Sequence, residues 1–456
     1  MSELIISVSG VRGIVGDSLT PQAACELALA YAALLGQGRG PNAGGVIAVG
    51  RDSRPSGRMI EQALCAGLLA SGFAVRSLGI VATPTTALAV RDLGCAGGVM
   101  ITASHNPGEY NGLKFMQPDG QCLSAAAMMQ LAHLYRSKIF KLTDHTAEFD
   151  VAHDDQATAR HVDRVLGCVD RAKIRRLHLA VLLDSVNGAG GLGGRLLLEA
   201  LGCRAEFLYP EPTGRFPRPP EPTAEHLHQT AARVAAAKVA VGFVQDPDAD
   251  RLALIDEAGR YIGEEYTLVL AAKSVLDHRP GPLATNLSTS RMIDDVAAAA
   301  GTTVFRTPVG EANVAAAIGE HQCVLGGEGN GGVIDPRVVP VRDSLTGIAL
   351  IADLLARTGK PLGELVADLP RYHMVKKKLP LPADGVASML KRVAAAGAGG
   401  TINDSDGVRI DWPAGWVHVR ASNTEPACRV IAEARDEVET NKILQRVAGA
   451  IGPAGR

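Results

Sequence analysis

The stretch 97–114, GGVMITASHNPGEYNGLK, sets a hydroxyl where it could do chemistry. Residues 97–101 form an apolar run of the kind that makes a buried strand, and Thr102 to Asn106 turn polar before Pro107 and Gly108. Ser104 stands in that loop beside His105 and Asn106, with Lys114 within reach of a folded turn. A serine in this setting is a nucleophile only if something neutralises the charge that develops on it. Otherwise it is a local hydrogen-bonder of a strand-to-loop turn.

A second candidate is DPDADR at 246–251. In an extended loop Asp246, Asp248 and Asp250 would share one side while Pro247 and Ala249 point away, so that three carboxylates converge on one cation. Three oxygen ligands with room for water and a phosphate oxygen suit Mg2+. An EF-hand calcium loop is the rival, and Glu257 does occupy its twelfth position counted from Asp246; but Arg251 stands at the sixth, where that loop needs glycine, and the flanks read as strands. A DxD-type catalytic aspartate pair and a solvated acidic turn are the remaining readings.

Two further loops could grip a ligand. GGEGNGG at 326–332 leaves Glu328 and Asn330 as the only side chains on an open backbone, which either approaches a sugar closely or is a plain turn. RASNTEPACR at 420–429 offers the forked donors of Arg420 and Arg429 with Ser422, Asn423 and Thr424, a set suited to a phosphate that is held but not transferred, or to a structural turn. Arg12, Arg51 and Arg54 also fall at strand ends, where arginines meet phosphate or pair with surface carboxylates.

These loops need elements to hold them. The chain alternates apolar strands with helical patterns: LIISVSG, PQAACELALAYAALLG, GGVIAVGRDSR, MIEQALCAGLLASG and AVRSLGI open a layered α/β domain. The charged helical passage ARHVDRVLGCVDRAKIRRL reads as a connection, after which LHLAVLLDSVNGAGGLGGRLLLEALG starts a second α/β unit. Its glycines spell GxGxxG at 188–193, but DSVN separates them from the apolar run, so the pattern does not stand in the register of a dinucleotide site; no GxxxxGK[ST] occurs anywhere. A third unit begins near Gly263, and MVKKKLPLPADG marks the boundary to a smaller α+β domain. The expected divisions are 1–150, 151–261, 262–371 and 372–456, the first three similar enough in size to suggest triplication.

Composition narrows the partners. Lys+Arg 46 against Asp+Glu 48 leaves a formal charge of -2, so no overall field favours nucleic acid or a membrane surface, and 4% aromatics offer few stacking platforms. The eight cysteines include no CxxC pair, which argues against a zinc knot or a disulfide framework. No leader-like start and no apolar run near the roughly 20 residues of a membrane span is visible, so a cytoplasmic protein is expected.

Taken together, TASHNP at 102–107, DPDADR at 246–251, GEGNGG at 327–332 and RASNTEP at 420–426 resemble the four signature loops of the α-D-phosphohexomutase superfamily, with SGVRG, GRDSRPSG, YNGLK and RTPVGE in support. The resemblance implies three related layered α/β domains and a smaller C-terminal α+β domain around a central cleft. It implies that Ser104 is carried as phosphoserine, and that Asp246, Asp248 and Asp250 hold one Mg2+ with that phosphoryl group. It further implies that Glu328, with Asn330, meets the sugar and that the loop at 420–429 grips the other phosphate. Arg12, His105, Lys114 and Arg251 match positions around the phosphoserine, Lys114 being a candidate acid or base. In one respect the chain departs: better-known members have Ser-Gly-His where Asn330, Gly331 and Gly332 stand, so the imidazole credited with proton transfer is missing. The NGG form and the RxSNTEP loop look closer to archaeal-type phosphoglucosamine mutases and related bacterial proteins.

The implied reaction interconverts hexose 6-phosphate and hexose 1-phosphate through a hexose 1,6-bisphosphate, glucosamine phosphate first and mannose or glucose phosphates second. The protein would be a monomer or a homodimer. A metal-dependent phosphatase has little use for a second phosphate grip, and a non-catalytic sugar-phosphate sensor could lose Ser104 or an aspartate, yet all are present.

Overall fold

The computed structural model describes residues 4–36, 44–144, 150–381, 385–421 and 427–451. Among them lie four sheets. The first runs, edge to edge, through strands Ile5–Ser7, Gly10–Ile14, Tyr110–Met116, Gly97–Ile101, Val46–Arg51, Ala74–Ile80 and Val151–His153. The second is Leu252–Asp256, Val241–Gln245, Ala180–Asp184, Arg204–Leu208; the third is Val304–Thr307, Leu283–Asn286, Leu325–Glu328, Gly332–Ile334. All three are mixed sheets sharing one pattern. Three parallel strands stand in the order second, first, third, and a fourth returns antiparallel beside the third. Every candidate loop of these units joins the third strand to the fourth: the serine loop, the acidic loop and the glycine loop occupy equivalent places.

The elements follow from local chemistry. Buried strands such as Val241–Gln245 are apolar along nearly their whole length because helices cover both faces. Helix Pro21–Leu35 starts with Thr20 accepting from the Ala23 N–H and proline in the first turn. Helix Ser344–Thr358 is capped by Asp343, which accepts from the N–H groups of Leu345 and Thr346, and residues 344–355 are all buried. That helix sits in a core to which Met100, Phe243, Leu325 and Ile348 all belong, so the first three units share one continuous apolar interior. Apolar area of this kind contributes about 25 cal/mol per Å² buried, which holds the three sheets as one block.

The fourth sheet, entirely antiparallel, runs His373–Pro380, Ala427–Ala434, Gly415–Ala421, Val408–Trp412, Thr401–Asn403. It packs on helices Val386–Ala395 and Glu437–Ile451 with a separate core around Ile410, Val417, Val430 and Val447.

Three local expectations change. The lysine-bearing stretch read as a boundary is an eight-residue strand of the fourth sheet, its lysines on an exposed edge where charges discourage pairing with other chains. Gly10–Ile14, read as the end of a strand, is itself a strand. Val151–His153 pairs with Ala74–Ile80 and so completes the first sheet. Among the described residues no helix is long and apolar enough to cross a membrane.

Candidate active site

Ser104 follows the buried strand Gly97–Ile101 and is itself only 1% exposed, with φ 49°. Arg54 holds its loop. That guanidinium, 1% exposed, donates to the carbonyls of Ser104 (2.7 Å), Asn106 (2.6 Å), Pro107 (2.7 Å) and Tyr110 (3.0 Å), and its Nε to Asp52 (3.1 Å). Asp52 in turn accepts from Thr102 Oγ1 (2.7 Å), whose oxygen accepts the Ser104 N–H (2.8 Å). Arg54 is therefore a strut with no donors left for a ligand, and Arg51 pairs with Glu61 at 2.9 Å. Of the two readings of these arginines, phosphate contact or pairing with a carboxylate, the structure shows the pairing. Arg12 does face the cleft and donates to Asn106 Oδ1 (2.6 Å); burial and neighbouring Arg251 lower its pKa to about 10.

Ser104 Oγ donates to Asp246 Oδ2 at 3.0 Å and lies 3.3 Å from His105 Nδ1. The acidic loop is a turn, not the extended segment expected: Ala249 adopts φ 55° and donates its N–H to Asp246 O at 3.1 Å. This turn, rather than strand alternation, brings ligand oxygens of Asp246, Asp248 and Asp250 within 4.8 Å of one another. All three units hold it. Thr83 donates its N–H to Asp248 O (2.9 Å) and its hydroxyl to Asp248 Oδ2 (2.6 Å); Ala189 donates to Pro247 O (2.7 Å); Ser344 donates to Ala249 O (3.2 Å). The glycine-rich turn after Ala180–Asp184 serves this packing, since a β-carbon on Gly188 would lie 2.6 Å from Pro247 O.

Two unit charges about 4.8 Å apart repel by roughly 3 to 4 kcal/mol at an effective dielectric near 20, so three buried carboxylates need cations. Lys114 Nζ supplies one, 2.7 Å from Asp248 and 2.9 Å from Asp250, and Arg342 Nη2 another, 2.7 Å from Asp250. Burial alone would lower the Lys114 pKa, but the two carboxylates outweigh it and hold the ammonium above its ordinary range. Burial and the neighbouring aspartates push Asp246 well up; at Asp250 burial is outweighed by Arg342 and Lys114, which hold it well down. Asp248 Oδ1 and Asp250 Oδ1 remain buried without a hydrogen-bond partner. A hard, oxygen-seeking divalent cation fits those orphaned oxygens.

Glu328 ends strand Leu325–Glu328, accepts from Asn286 Nδ2 (2.7 Å) and is bridged by Arg342 to the acidic loop. Asn330 Oδ1 accepts from the Gly332 N–H at 3.3 Å, and Leu252 donates its N–H to Gly331 O at 3.0 Å, locking the two loops together. Arg420 and Arg429 stand directly opposite each other across the antiparallel pair of the fourth sheet. Like charges so placed are unfavourable unless an anion joins them. Arg420 Nε donates to Asp406 at 2.8 Å, while its Nη2 is buried with no hydrogen-bond partner.

Arg12, His105, Lys114, Arg251, Glu328, Asn330, Arg420 and Arg429 line one cavity of about 320 Å³. Ser104 and the three aspartates, each no more than 1% exposed, adjoin residues of that lining: Ser104 contacts His105, and Asp248 and Asp250 accept from Lys114. Ser422, Asn423 and Thr424 lie outside the described residues. Burial and the charges of Arg251 and Arg12 keep His105 neutral, well below its usual pKa. Sequence reasoning missed Arg342, Glu311, Glu265 and Lys376, which also line the cavity. None stands in a loop whose composition signals chemistry; RTPVGE, quoted only in support, did contain Glu311. The arrangement is a serine beside an aspartate triad that could hold a cation, next to a cleft lined by paired arginines.

Such a site on such a fold defines an enzyme of phosphoryl transfer on small polar substrates. The four domain models of phosphoglucomutase/phosphomannomutase match in order: α/β/α domain I over residues 4–141, domain II over 159–259, domain III over 263–372 and the C-terminal domain over 374–450. The chain belongs to this family of phosphohexomutases. It is 38% identical over 440 residues to a phosphoglucomutase/phosphomannomutase of Thermococcus kodakarensis, covering 96% of each chain. It is 37% identical over 440 residues, 95% of each chain, to a protein of Methanopyrus kandleri named "Probable phosphoglucosamine mutase". A crystal structure of a phosphoglucomutase/phosphomannomutase family protein from Burkholderia thailandensis superposes with a TM-score of 0.86 at 25% identity, covering 99% of this chain and 98% of that one.

Proposed function

We propose that the protein interconverts hexose 6-phosphate and hexose 1-phosphate, with glucosamine 6-phosphate and glucosamine 1-phosphate the preferred pair. Ser104 is carried as phosphoserine. The observation that carries this reading is Ser104 Oγ, 3.0 Å from Asp246 and next in sequence to His105, together with two opposed arginines that line the same cavity as His105. A phosphatase needs only the first half.

Arg420 and Arg429, with Ser422, Asn423 and Thr424, hold the phosphate that is not being transferred, and Glu328 and Asn330 orient the sugar so that its free hydroxyl faces Ser104. The Asp246, Asp248 and Asp250 carboxylates would hold one Mg2+, which when bound supplies positive charge to the transferring oxygens. The hydroxyl oxygen bonds to phosphorus, the bond to Ser104 Oγ breaks, and the proton freed by the hydroxyl ends on Ser104 Oγ. Arg12 and Arg251 add fixed positive charge nearby, as does Lys114, whose ammonium is held between two carboxylates. The hexose 1,6-bisphosphate then turns over, and its other phosphoryl group returns to Ser104. Every group named comes from one chain, so a monomer or a homodimer both accommodate the site, and cytoplasmic sugar phosphates are the expected partners.

Glucosamine is put first because the Methanopyrus relative is named as a phosphoglucosamine mutase. A phosphomannomutase/phosphoglucomutase is the second reading, favoured by the name of the Thermococcus relative. A coupled assay across glucose, mannose, glucosamine and N-acetylglucosamine phosphates decides: fastest turnover of glucosamine 6-phosphate is expected, and a preference for mannose or glucose phosphates overturns the substrate assignment.

A further inference from the structure

Gly332 opens strand Gly332–Ile334 and is not among the glycines with left-handed backbone, so its conformation alone would accept a side chain. Space forbids one. A β-carbon on Gly332 would lie 2.1 Å from Cδ of Arg342, 2.7 Å from its Cγ and 3.2 Å from its Cβ. Contacts under about 3 Å between carbons are repulsive, so the Arg342 stem fills the space that a residue at 332 would enter. The approach is fixed by the backbone: the Asp343 N–H donates to Val333 O at 2.8 Å, laying segment 342–343 along the strand.

The head of the same side chain ties the cleft together. Nη1 donates to Glu328 Oε2 at 2.5 Å, Nη2 to Asp250 Oδ2 at 2.7 Å, and the backbone N–H to Glu311 Oε1. Asp250, Glu311 and Glu328 come from the acidic loop, the start of helix Glu311–Glu320 and the glycine loop. A planar fork can span two carboxylates from two loops at once, which an ammonium on a flexible stem does poorly. Arg342 is 8% exposed, and its Nε has no hydrogen-bond partner, so the guanidinium is set by these carboxylates and the cleft rather than by solvent.

We propose that Arg342 is a positioning residue that sets the glycine loop on the acidic loop at a fixed distance, and that Gly332 is its obligatory steric complement. An imidazole at 332 and a guanidinium from 342 exclude each other, so the histidine missing from this chain is replaced in space by a side chain ten residues on. The inference rests on Glu328 orienting the sugar and Asp250 serving the transferring centre, as proposed above.

The test is a double-mutant cycle in the full-length, Mg2+-supplemented protein, using Arg342→Ala, Gly332→His and the two combined, with Arg342→Lys beside them. Turnover of the best hexose phosphate and melting temperature are both read. A misplacement on the order of 1 Å lowers turnover about a hundredfold, so Arg342→Ala should lose about that factor in kcat with a smaller change in KM, and Arg342→Lys should recover only part. Gly332→His alone should be both destabilised and inactive, while the combined variant melts higher than Gly332→His and turns over faster than either single variant. Arg342→Ala with kcat and KM within about twofold of wild type would overturn the positioning role. A combined variant no more stable than Gly332→His would overturn the steric pairing. Should Arg342→Ala not fold, Arg342→Lys carries the kinetic arm, full kcat in it counting against the proposal. Wild-type protein that turns over no hexose phosphate would instead defeat the mutase reading, and the melting comparison would still decide the 332–342 pair.

Discussion

At Ser104 the backbone is held left-handed, φ 49°, a conformation that costs a non-glycine residue on the order of 1 to 2 kcal/mol. Arg54 and Asp52 offset that strain with a buried hydrogen-bond network, which aims Oγ at the triad. Ser104→Ala should therefore abolish turnover while sugar-phosphate affinity, measured by titration calorimetry, stays within about threefold, because only the covalent relay is lost. Asp248→Asn removes one anionic ligand of a hard cation; most of kcat and the dependence on added Mg2+ should disappear, and full activity in chelator would refute the metal assignment. Ser104, the three aspartates, Glu328 and Arg420 stand out in the sequence because each lies in, or at the strand end leading into, a short polar or glycine-rich segment. The sequence hid Arg342 and left the role of Arg54 open, since a lone arginine carries no local signal: whether it meets solvent, a carboxylate or a row of carbonyls depends on segments tens of residues away.

At the scale of elements, the three-to-four strand turn of each α/β unit delivers one functional loop, and the units are locked so that the turns face one another. The α/β rhythm was readable from strand and helix periodicity, but the shared strand order was not, because pairing is a tertiary choice. Nor was the strand His373–Pro380, whose lysines and proline read as a linker while its partner Ala427–Ala434 lies some fifty residues away. Thr83 exemplifies the locking: from the first unit it holds Asp248 of the second by hydroxyl and N–H. Thr83→Val keeps shape and the backbone bond but removes the hydroxyl, and should weaken divalent-cation affinity about tenfold in a Mn2+ titration. Unchanged affinity would show that the acidic loop holds its own shape.

At the scale of the whole molecule, the fourth unit has its own core and meets the third largely through polar contacts: Ser288 with His418 (2.9 Å), Arg291 with Asp411 (3.0 Å), Lys376 with Glu264 (2.7 Å) and Glu265 (3.0 Å). Such a joint suits a hinge, and under the proposed reaction its closure on substrate would exclude water from a phosphorylated Ser104. Burial raises the Glu265 pKa from 4.5 to about 7 despite the Lys376 ammonium. The folded protein then holds a proton that the unfolded chain releases, so this group makes stability fall as pH rises from about 4.5 to 7. The melting temperature of wild type, relative to Glu265→Gln, should drop over that interval; a constant difference would contradict the assignment. The central claim, a phosphoryl relay through one serine, is tested most directly by incubating the protein with hexose 1,6-bisphosphate and Mg2+, mapping the phosphate by peptide mass spectrometry, and then adding glucosamine 6-phosphate. The account predicts one phosphoryl group on Ser104 that returns to the sugar as bisphosphate; phosphate on another residue, or its loss only to water, would contradict it.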